Sequence, residues 1–104
     1  MKNLEELKER CVENGFEYAY GLFKKIVKPP HLIAFEQNSD NYSADNEVYY
    51  KKKSIQLDYT YEEKNIDEQE KIENIILKDV VWNKTEETYL SNEKIWQVSY
   101  FFEL

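Results

Sequence analysis

The sequence is poor in the residues from which many functional sites are built. Its 104 residues include only one cysteine, one histidine, two glycines and two prolines. The single cysteine, Cys11, excludes an internal disulfide and indicates a reducing compartment. The two glycines are isolated, which excludes a P-loop and a dinucleotide-binding fingerprint. Because His31 has no second histidine and no cysteine pair to join it, we expect no metal site and no cofactor.

Positive charge and long apolar runs are also scarce. The chain carries 14 lysines and arginines against 21 acidic residues, which gives a net charge of −7. This balance disfavours nucleic acid as a partner, because such binding depends on neutralising phosphates, and it equally disfavours an anionic membrane surface. No apolar run approaches the roughly 18 residues of a membrane span. We therefore expect a small, acidic, intracellular protein with one α+β domain over residues 1–104.

Aromatic residues are abundant instead. They make up 15% of the chain, and nine of them are tyrosines. Tyrosine is enriched where proteins meet proteins, because it offers a large contact area at a low cost in rotamer entropy. It is also favoured in half-buried strands, which is the simpler interpretation of any single tyrosine. The excess as a whole hints at assembly.

Capping patterns predict two helices. Asn3 followed by Glu6 resembles a capping box, and Gly15 is placed to end the helix, so the first helix is expected over residues 3–14. Its apolar stripe comprises Leu4, Leu7, Cys11 and Val12. Cys11 is therefore interpreted as a core residue and not as a nucleophile.

The second helix is expected to begin after Asn65 or Asp67. Glu70 lies three positions after Asp67 and would complete another capping box. The contact face of this helix would then comprise Ile72, Ile75 and Ile76, which follow the helical spacing i, i+3, i+4.

Four strands are predicted around these helices. They cover residues 31–35, 47–61, 80–90 and 94–104, and a short edge strand before Gly21 is a further possibility. We therefore expect an α+β fold in which two helices pack on one face of a mainly antiparallel four-stranded sheet, in the order α-β-β-α-β-β.

Alternating side chains divide the long strand and the last strand into two faces. The predicted core face comprises Ile55, Leu57, Tyr59, Tyr61, Trp96, Val98, Tyr100, Phe102 and Leu104. The predicted second face comprises Gln56, Asp58, Thr60, Gln97, Ser99 and Phe101. We expect this second face to be solvated in a monomer and available to a neighbour in an assembly, with Phe101 as its aromatic residue.

No constellation of residues indicates an enzyme. Asp40 and Asp45 lie in the polar loop 37–46 and could weakly hold a divalent ion, but the glycine and the spacing of an EF-hand are missing. The basic run Lys51–Lys53 follows two tyrosines, a combination that can suit single-stranded nucleic acid. Lysines on an exposed strand more simply discourage aggregation or pair with an acidic patch on a neighbouring subunit. We expect a bend near this run, or a hairpin arm.

Three segments resemble a group of small proteins from tailed phages and prophages of Gram-positive bacteria. They are PPHLIAFEQNSDNYSADNEVYY, SIQLDYTYEEKNIDEQEKIENIIL and TEETYLSNEKIWQVSYFFEL, and together they cover nearly the whole chain. The shared pattern combines a Pro-Pro before an apolar strand, the loop S-D-N-Y-x-A-D-N, and the ending E-x-x-Y-x-x-x-E-x-x-x-Q-V-x-Y. On these residues the chain is similar to tail-completion or tail-terminator proteins, also called tail-to-head joining proteins.

The resemblance implies a non-enzymatic α+β subunit that forms a hexameric ring. Its expected partners are copies of itself, the tail tube protein and the head connector, and its expected location is the virion, assembled in the cytoplasm of the bacterial host. The candidate interaction residues are Asp40, Asn41, Tyr42, Asp45, Asn46, Tyr49, Tyr50, Lys51, Lys53 and Phe101. The alternative is a cytoplasmic α+β module, a monomer or dimer, that binds a protein partner through its open sheet face.

Overall fold

A computed structural model of the chain describes residues 1–37 and 53–104. Helix α2 continues directly into a π-helical turn over Ile72–Ile76. The elements in chain order are α1 (Leu4–Glu13), β1 (Glu17–Tyr20), β2 (His31–Glu36), β3 (Ser54–Tyr61), α2 (Ile66–Lys71), β4 (Asn83–Lys84), β5 (Thr88–Leu90) and β6 (Ile95–Glu103). The predicted α+β class and the two helices are confirmed.

The sheet has six strands and not the predicted four. Its order is β1-β2-β3-β6-β4, and β5 also pairs with β6. Every pair is antiparallel except β1 and β2, which run parallel. The short edge strand before Gly21, named above as a possibility, is confirmed as β1. The predicted sheet of four strands is wrong, because β1 adds a strand and the strand expected over residues 80–90 is divided in two.

A bulge divides the strand expected over residues 80–90. Asn83 pairs with Phe101 and Thr88 pairs with Gln97, so the register shifts by one residue between these two pairs. Thr85 is the last residue before the break: its N–H donates to the Ser99 carbonyl at 2.9 Å, and its hydroxyl accepts a hydrogen bond of 3.1 Å from the Ser99 N–H. The extra residue lies between Thr85 and Thr88, and such an insertion bends the strand and interrupts its pairing. The polar residues around it gave no sequence signal of the bulge.

Helix α1 begins as predicted and buries a narrower stripe than expected. The Oδ1 atom of Asn3 accepts a hydrogen bond of 2.9 Å from the Glu6 N–H, and Gly15 follows the helix with a φ of 85°. Leu7 and Cys11 are fully buried, whereas Val12 is 56% exposed. Val12 lies about 100° around the helix from Cys11, which carries its side chain off the buried stripe.

Helix α2 begins at Asn65, the first of the two caps named above. Asn65 accepts a hydrogen bond of 3.1 Å from the Glu68 N–H, so the proposed box between Asp67 and Glu70 is not formed. The wider π-helical turn that follows is closed by a bond of 2.9 Å from the Leu77 N–H to the Ile72 carbonyl.

The π-helical turn also changes which side chains reach the core. Ile72, Ile76 and Leu77 are buried, and Ile75 is 44% exposed, contrary to the prediction for Ile75. Because a π-turn spaces side chains five positions apart, Leu77 takes the place expected for Ile75 over the sheet.

The core face of the sheet is rich in tyrosine. Tyr59, Tyr61 and Tyr100 are buried, and the rings of Tyr59 and Tyr61 stack with their centroids 4.7 Å apart. These three tyrosines are core residues, so the hint of assembly does not apply to them. The predicted core-face residues of β3 are confirmed. On β6, Trp96 is only partly buried against the core.

Two glutamates on the helix side accept hydrogen bonds from Tyr59 and Tyr100, whereas the buried Tyr61 hydroxyl has no hydrogen-bond partner among the described residues. The Tyr59 hydroxyl donates to Glu68 Oε1 at 2.7 Å, and the Tyr100 hydroxyl donates to Glu73 Oε2 at 2.8 Å. A hydrogen bond to a charged group contributes about 1.5–3 kcal/mol, and without it a buried hydroxyl would be costly. These bonds fix α2 and the π-helical turn over the centre of the sheet.

Replacing Leu57, which is fully buried, with alanine tests the position of the core. We expect Leu57→Ala to lower the free energy of unfolding by roughly 2–5 kcal/mol, because it leaves a cavity between sheet and helices. Val12→Ala, on the exposed flank of α1, should change it by less than about 0.5 kcal/mol. Urea denaturation with equal m-values measures both. Equal losses would contradict this assignment of the core.

The buried tyrosines predict a loss of stability at alkaline pH. Burial, reinforced by Glu68, raises the pKa of Tyr59 above its usual value, whereas the unfolded chain ionises near pH 10. The stability is therefore complete below about pH 10 and falls as the pH rises further. In urea titrations at pH 8 and above pH 10, the wild type should lose more stability than Tyr59→Phe. An equal loss would contradict the prediction.

Candidate interaction surface

One face of the sheet lies opposite the helices, and its centre forms the candidate site. We call it the open face and define it by six half-buried side chains, which are Ile33, Phe35, Gln56, Asp58, Ser99 and Phe101. The strand register places them in two rows across β2, β3 and β6. Within residues 1–37 and 53–104, both helices pack on the other side of the sheet, against the core.

Polar side chains in the middle of the open face bond to one another. Ser99 Oγ donates to Asp58 Oδ1 at 2.6 Å, and Gln56 Nε2 donates to the same oxygen at 2.8 Å. Gln37 Nε2 in turn donates to Gln56 Oε1 at 3.0 Å. The Ser99 hydroxyl and the Gln56 and Gln37 amides thus have acceptors within the network. The Asp58 carboxylate has no cation within 4.0 Å among the described residues, so a partner that covers it has to supply a donor or a cation.

Aromatic and aliphatic side chains flank this network. Phe35 and Phe101 lie on either side of Gln56 in one row, and Ile33 lies beside Asp58 in the next. Aromatic residues are enriched in protein interfaces, so Phe35 and Phe101 make this face a candidate contact surface. The prediction that Phe101 is an aromatic residue on the second face is confirmed.

One end of the second face is covered by the chain's own loop between β1 and β2. Phe23 of this loop packs edge-on against His31, with the ring centroids 5.2 Å apart. Thr60, the cross-strand partner of His31, is only 3% exposed. The expectation that Thr60 is solvated is therefore wrong. Burial also lowers the pKa of His31, so its imidazole is neutral at pH 7.

The structure separates the two predicted interaction residues that it describes. Phe101 lies on the open face, while Lys53 precedes β3 and exchanges backbone hydrogen bonds of 2.8 and 2.9 Å with Leu104. Because alternate residues of a strand face the same side, Lys53 lies on the same side of the sheet as Ile55, which is the core side. The other predicted residues lie outside the described residues, as does the bend expected at Lys51; they are Asp40, Asn41, Tyr42, Asp45, Asn46, Tyr49, Tyr50 and Lys51.

Two members of the open face were missed by sequence reasoning. Ile33 and Phe35 belong to the run HLIAF, which is apolar on both sides and so does not reveal which residues face the helices. Ala34 could have shown which side of this strand faces the helices, because its small side chain suits a position beneath them. Leu32 and Ala34 are both fully buried there. The remaining alternate positions of β2 then face the other way.

The chain's one cysteine is buried. Burial raises the pKa of Cys11 to about 12, so its thiol is protonated and unreactive at neutral pH. Across residues 1–37 and 53–104, no three side chains of the histidine, cysteine, aspartate and glutamate types are grouped so that they could hold a metal ion. In the same part of the chain, no helix combines the length and the apolar character that a bilayer crossing requires.

Comparison with protein-family models, curated proteins and solved structures gives no match for this chain. The resemblance to phage tail proteins therefore stays a prediction. The function has to be argued from the open face itself.

Adjacent residues on β6 test the two faces directly. Phe102 is 4% exposed and packs in the core, whereas Phe101 lies on the open face. Phe102→Glu should lower the free energy of unfolding by more than about 4 kcal/mol, because it buries an unpaired charge. Phe101→Glu should cost no more than about 1–2 kcal/mol and leave the circular dichroism spectrum unchanged. The reverse ranking would contradict this assignment of the faces.

Proposed function

We propose that this chain is a structural subunit that binds copies of itself through the open face, and that it is not an enzyme. The observation that carries the proposal is the open face itself: a sheet surface on which Ile33, Phe35 and Phe101 flank a hydrogen-bonded polar network.

We further propose that the assembly is a ring of the kind formed by tail-terminator or tail-to-head joining proteins of phages. The support is the sequence resemblance, together with the α+β fold that it implies. In a ring, one surface of each subunit meets a different surface of the next, which requires two contact surfaces per chain. The ring would cap the tail tube and contact the head connector, as part of the virion.

The net charge of −7 fits this role. Acidic residues along the opening of a ring would repel the phosphate backbone, so DNA could pass without adhering to the wall. The same charge that disfavours a DNA-binding protein therefore does not count against a subunit that surrounds DNA.

Self-association is the first property to measure. Sedimentation velocity and native mass spectrometry of the wild type, at increasing concentration, should show a defined oligomer, and purified tail tube protein should promote it. Phe101→Glu should raise the concentration needed for assembly by at least about tenfold, equivalent to about 1.4 kcal/mol. The matched control is Val12→Glu, which adds the same charge on the exposed flank of α1 and should assemble normally.

A wild type that remains a monomer or a dimer under all of these conditions would contradict the proposal. It would favour the alternative of a small protein-binding module. Assembly that Phe101→Glu leaves unchanged would instead show that the open face is not the contact surface.

A further inference from the structure

The loop between β1 and β2 exposes apolar side chains among lysines. Leu22 is 70% exposed and Ile26 is fully exposed. Lys24, Lys25 and Lys28 surround them and are exposed as well. We call residues 22–28 the basic loop. Its composition, with an apolar centre and a charged rim, resembles that of a contact surface.

A surface of opposite charge follows strand β3. We call it the acidic patch and define it by Glu62, Glu63, Ile66, Asp67 and Glu70, all of which are exposed. Ile66 gives this patch an apolar centre of its own and is 63% exposed. The acidic patch thus repeats the arrangement of the basic loop with the sign of the charge reversed.

The charges of both surfaces are unpaired in the described parts of the chain. The ion pairs formed there within 4.0 Å involve other residues, such as Arg10 with Asp79 and Lys84 with Glu73. The basic loop therefore offers three lysines, and the acidic patch four carboxylates, to a partner. Complementary charges of this kind direct association and fix its register.

The two surfaces lie on opposite sides of the sheet. Phe23 packs on His31, which alternates with the core residue Leu32, so the basic loop lies on the side of the open face. The acidic patch lies on the helix side, because α2 bonds to the core residue Tyr59 through Glu68. Both surfaces adjoin the same end of the sheet, where Pro29 and Pro30 line one pocket with Glu62 and Glu63, but they face away from each other across it. A front-to-back contact between copies would bring them together.

We propose that the basic loop of one copy binds the acidic patch of the next copy, head to tail. This inference rests on the proposed function and names one contact of the assembly. Leu22 and Ile26 pack against Ile66, while the lysines face the carboxylates around it. Such a heterologous contact, made once at each junction, generates a ring or a filament, whereas a two-fold dimer would have to make it twice, reciprocally.

A second copy is favoured over other anionic partners. Nucleic acid and anionic lipid also attract lysines, but they would be repelled by the rest of a chain with a net charge of −7. Nucleic acid offers no apolar group to match Ile26, whereas the acyl region of a bilayer does, so vesicles form one arm of the test. Another copy presents the acidic patch with Ile66 at a concentration equal to that of the loop.

The test reverses the charge of each surface separately. The loop-reversed variant is Lys24→Glu with Lys25→Glu, and its control is Lys2→Glu with Lys8→Glu, at exposed positions in and beside α1. The patch-reversed variant is Glu63→Lys with Glu70→Lys, and its control is Glu9→Lys with Glu13→Lys. Asp67 is left in place because a negative charge stabilises the first turn of α2.

Sedimentation velocity should show that each reversed variant alone has lost the assembly formed by the wild type and by both controls. An equimolar mixture of the two reversed variants should associate again, because every junction then joins opposite charges. Raising the salt concentration should weaken both the wild-type assembly and the mixture. Circular dichroism of each variant checks that it is folded.

Different failures have different meanings. Wild-type assembly that neither reversal weakens would overturn this contact and leave the proposed function standing, whereas a wild type that never assembles would overturn both. A third result would show that the loop binds lipid and that the head-to-tail contact is wrong. In that case the wild type binds vesicles of phosphatidylglycerol, the loop-reversed variant does not bind them, and the mixture of the two reversed variants fails to associate.

Discussion

The hydrogen bonds between core tyrosines and helix glutamates are the constraint on which the rest of the structure depends. Tyr59 and Tyr100 bring polar hydroxyls into the core, and Glu68 and Glu73 accept their hydrogen bonds from above. A buried hydroxyl without an acceptor would cost roughly 1–3 kcal/mol. These bonds therefore determine where α2 and the π-helical turn can lie, and with them which face of the sheet is covered.

Covering one face in this way leaves the two sides of the molecule chemically different. The helix side carries the exposed carboxylates of the acidic patch, and the other side carries the open face and the lysines of the basic loop. Opposite charges on opposite sides favour stacking of copies in one direction. A net charge of −7 describes the whole chain but conceals this division.

Side-chain periodicity predicted the helices and the faces of β3 and β6, because each pattern there is long and regular. It failed where the backbone departs from a regular repeat. The bulge after Thr85 and the π-helical turn beside Ile75 each depend on tertiary contacts that local sequence does not reveal. The basic loop was not predicted as a surface, since its apolar residues Leu22 and Ile26 directly follow the possible edge strand before Gly21 and show no regular pattern of their own.

The candidate site was predictable only in part, for a related reason. Phe101 was identified because it interrupts a polar face on a clearly alternating strand. Ile33 and Phe35 were not, because β2 is apolar on both sides and its neighbours decide which side is covered. The charge complementarity between the basic loop and the acidic patch could be recognised only in the folded structure. About 40 residues separate the two segments in the chain, so the sequence does not show them as a pair.

Disulfide trapping between copies tests the head-to-tail contact most directly. A chain that carries both Ile26→Cys and Ile66→Cys keeps Cys11, which is fully buried and does not compete. Mild oxidation should produce a ladder of covalent oligomers, and peptide mapping should find bonds between positions 26 and 66 of different copies. Bonds that join identical positions, or a chain that stays monomeric after oxidation, would contradict head-to-tail assembly.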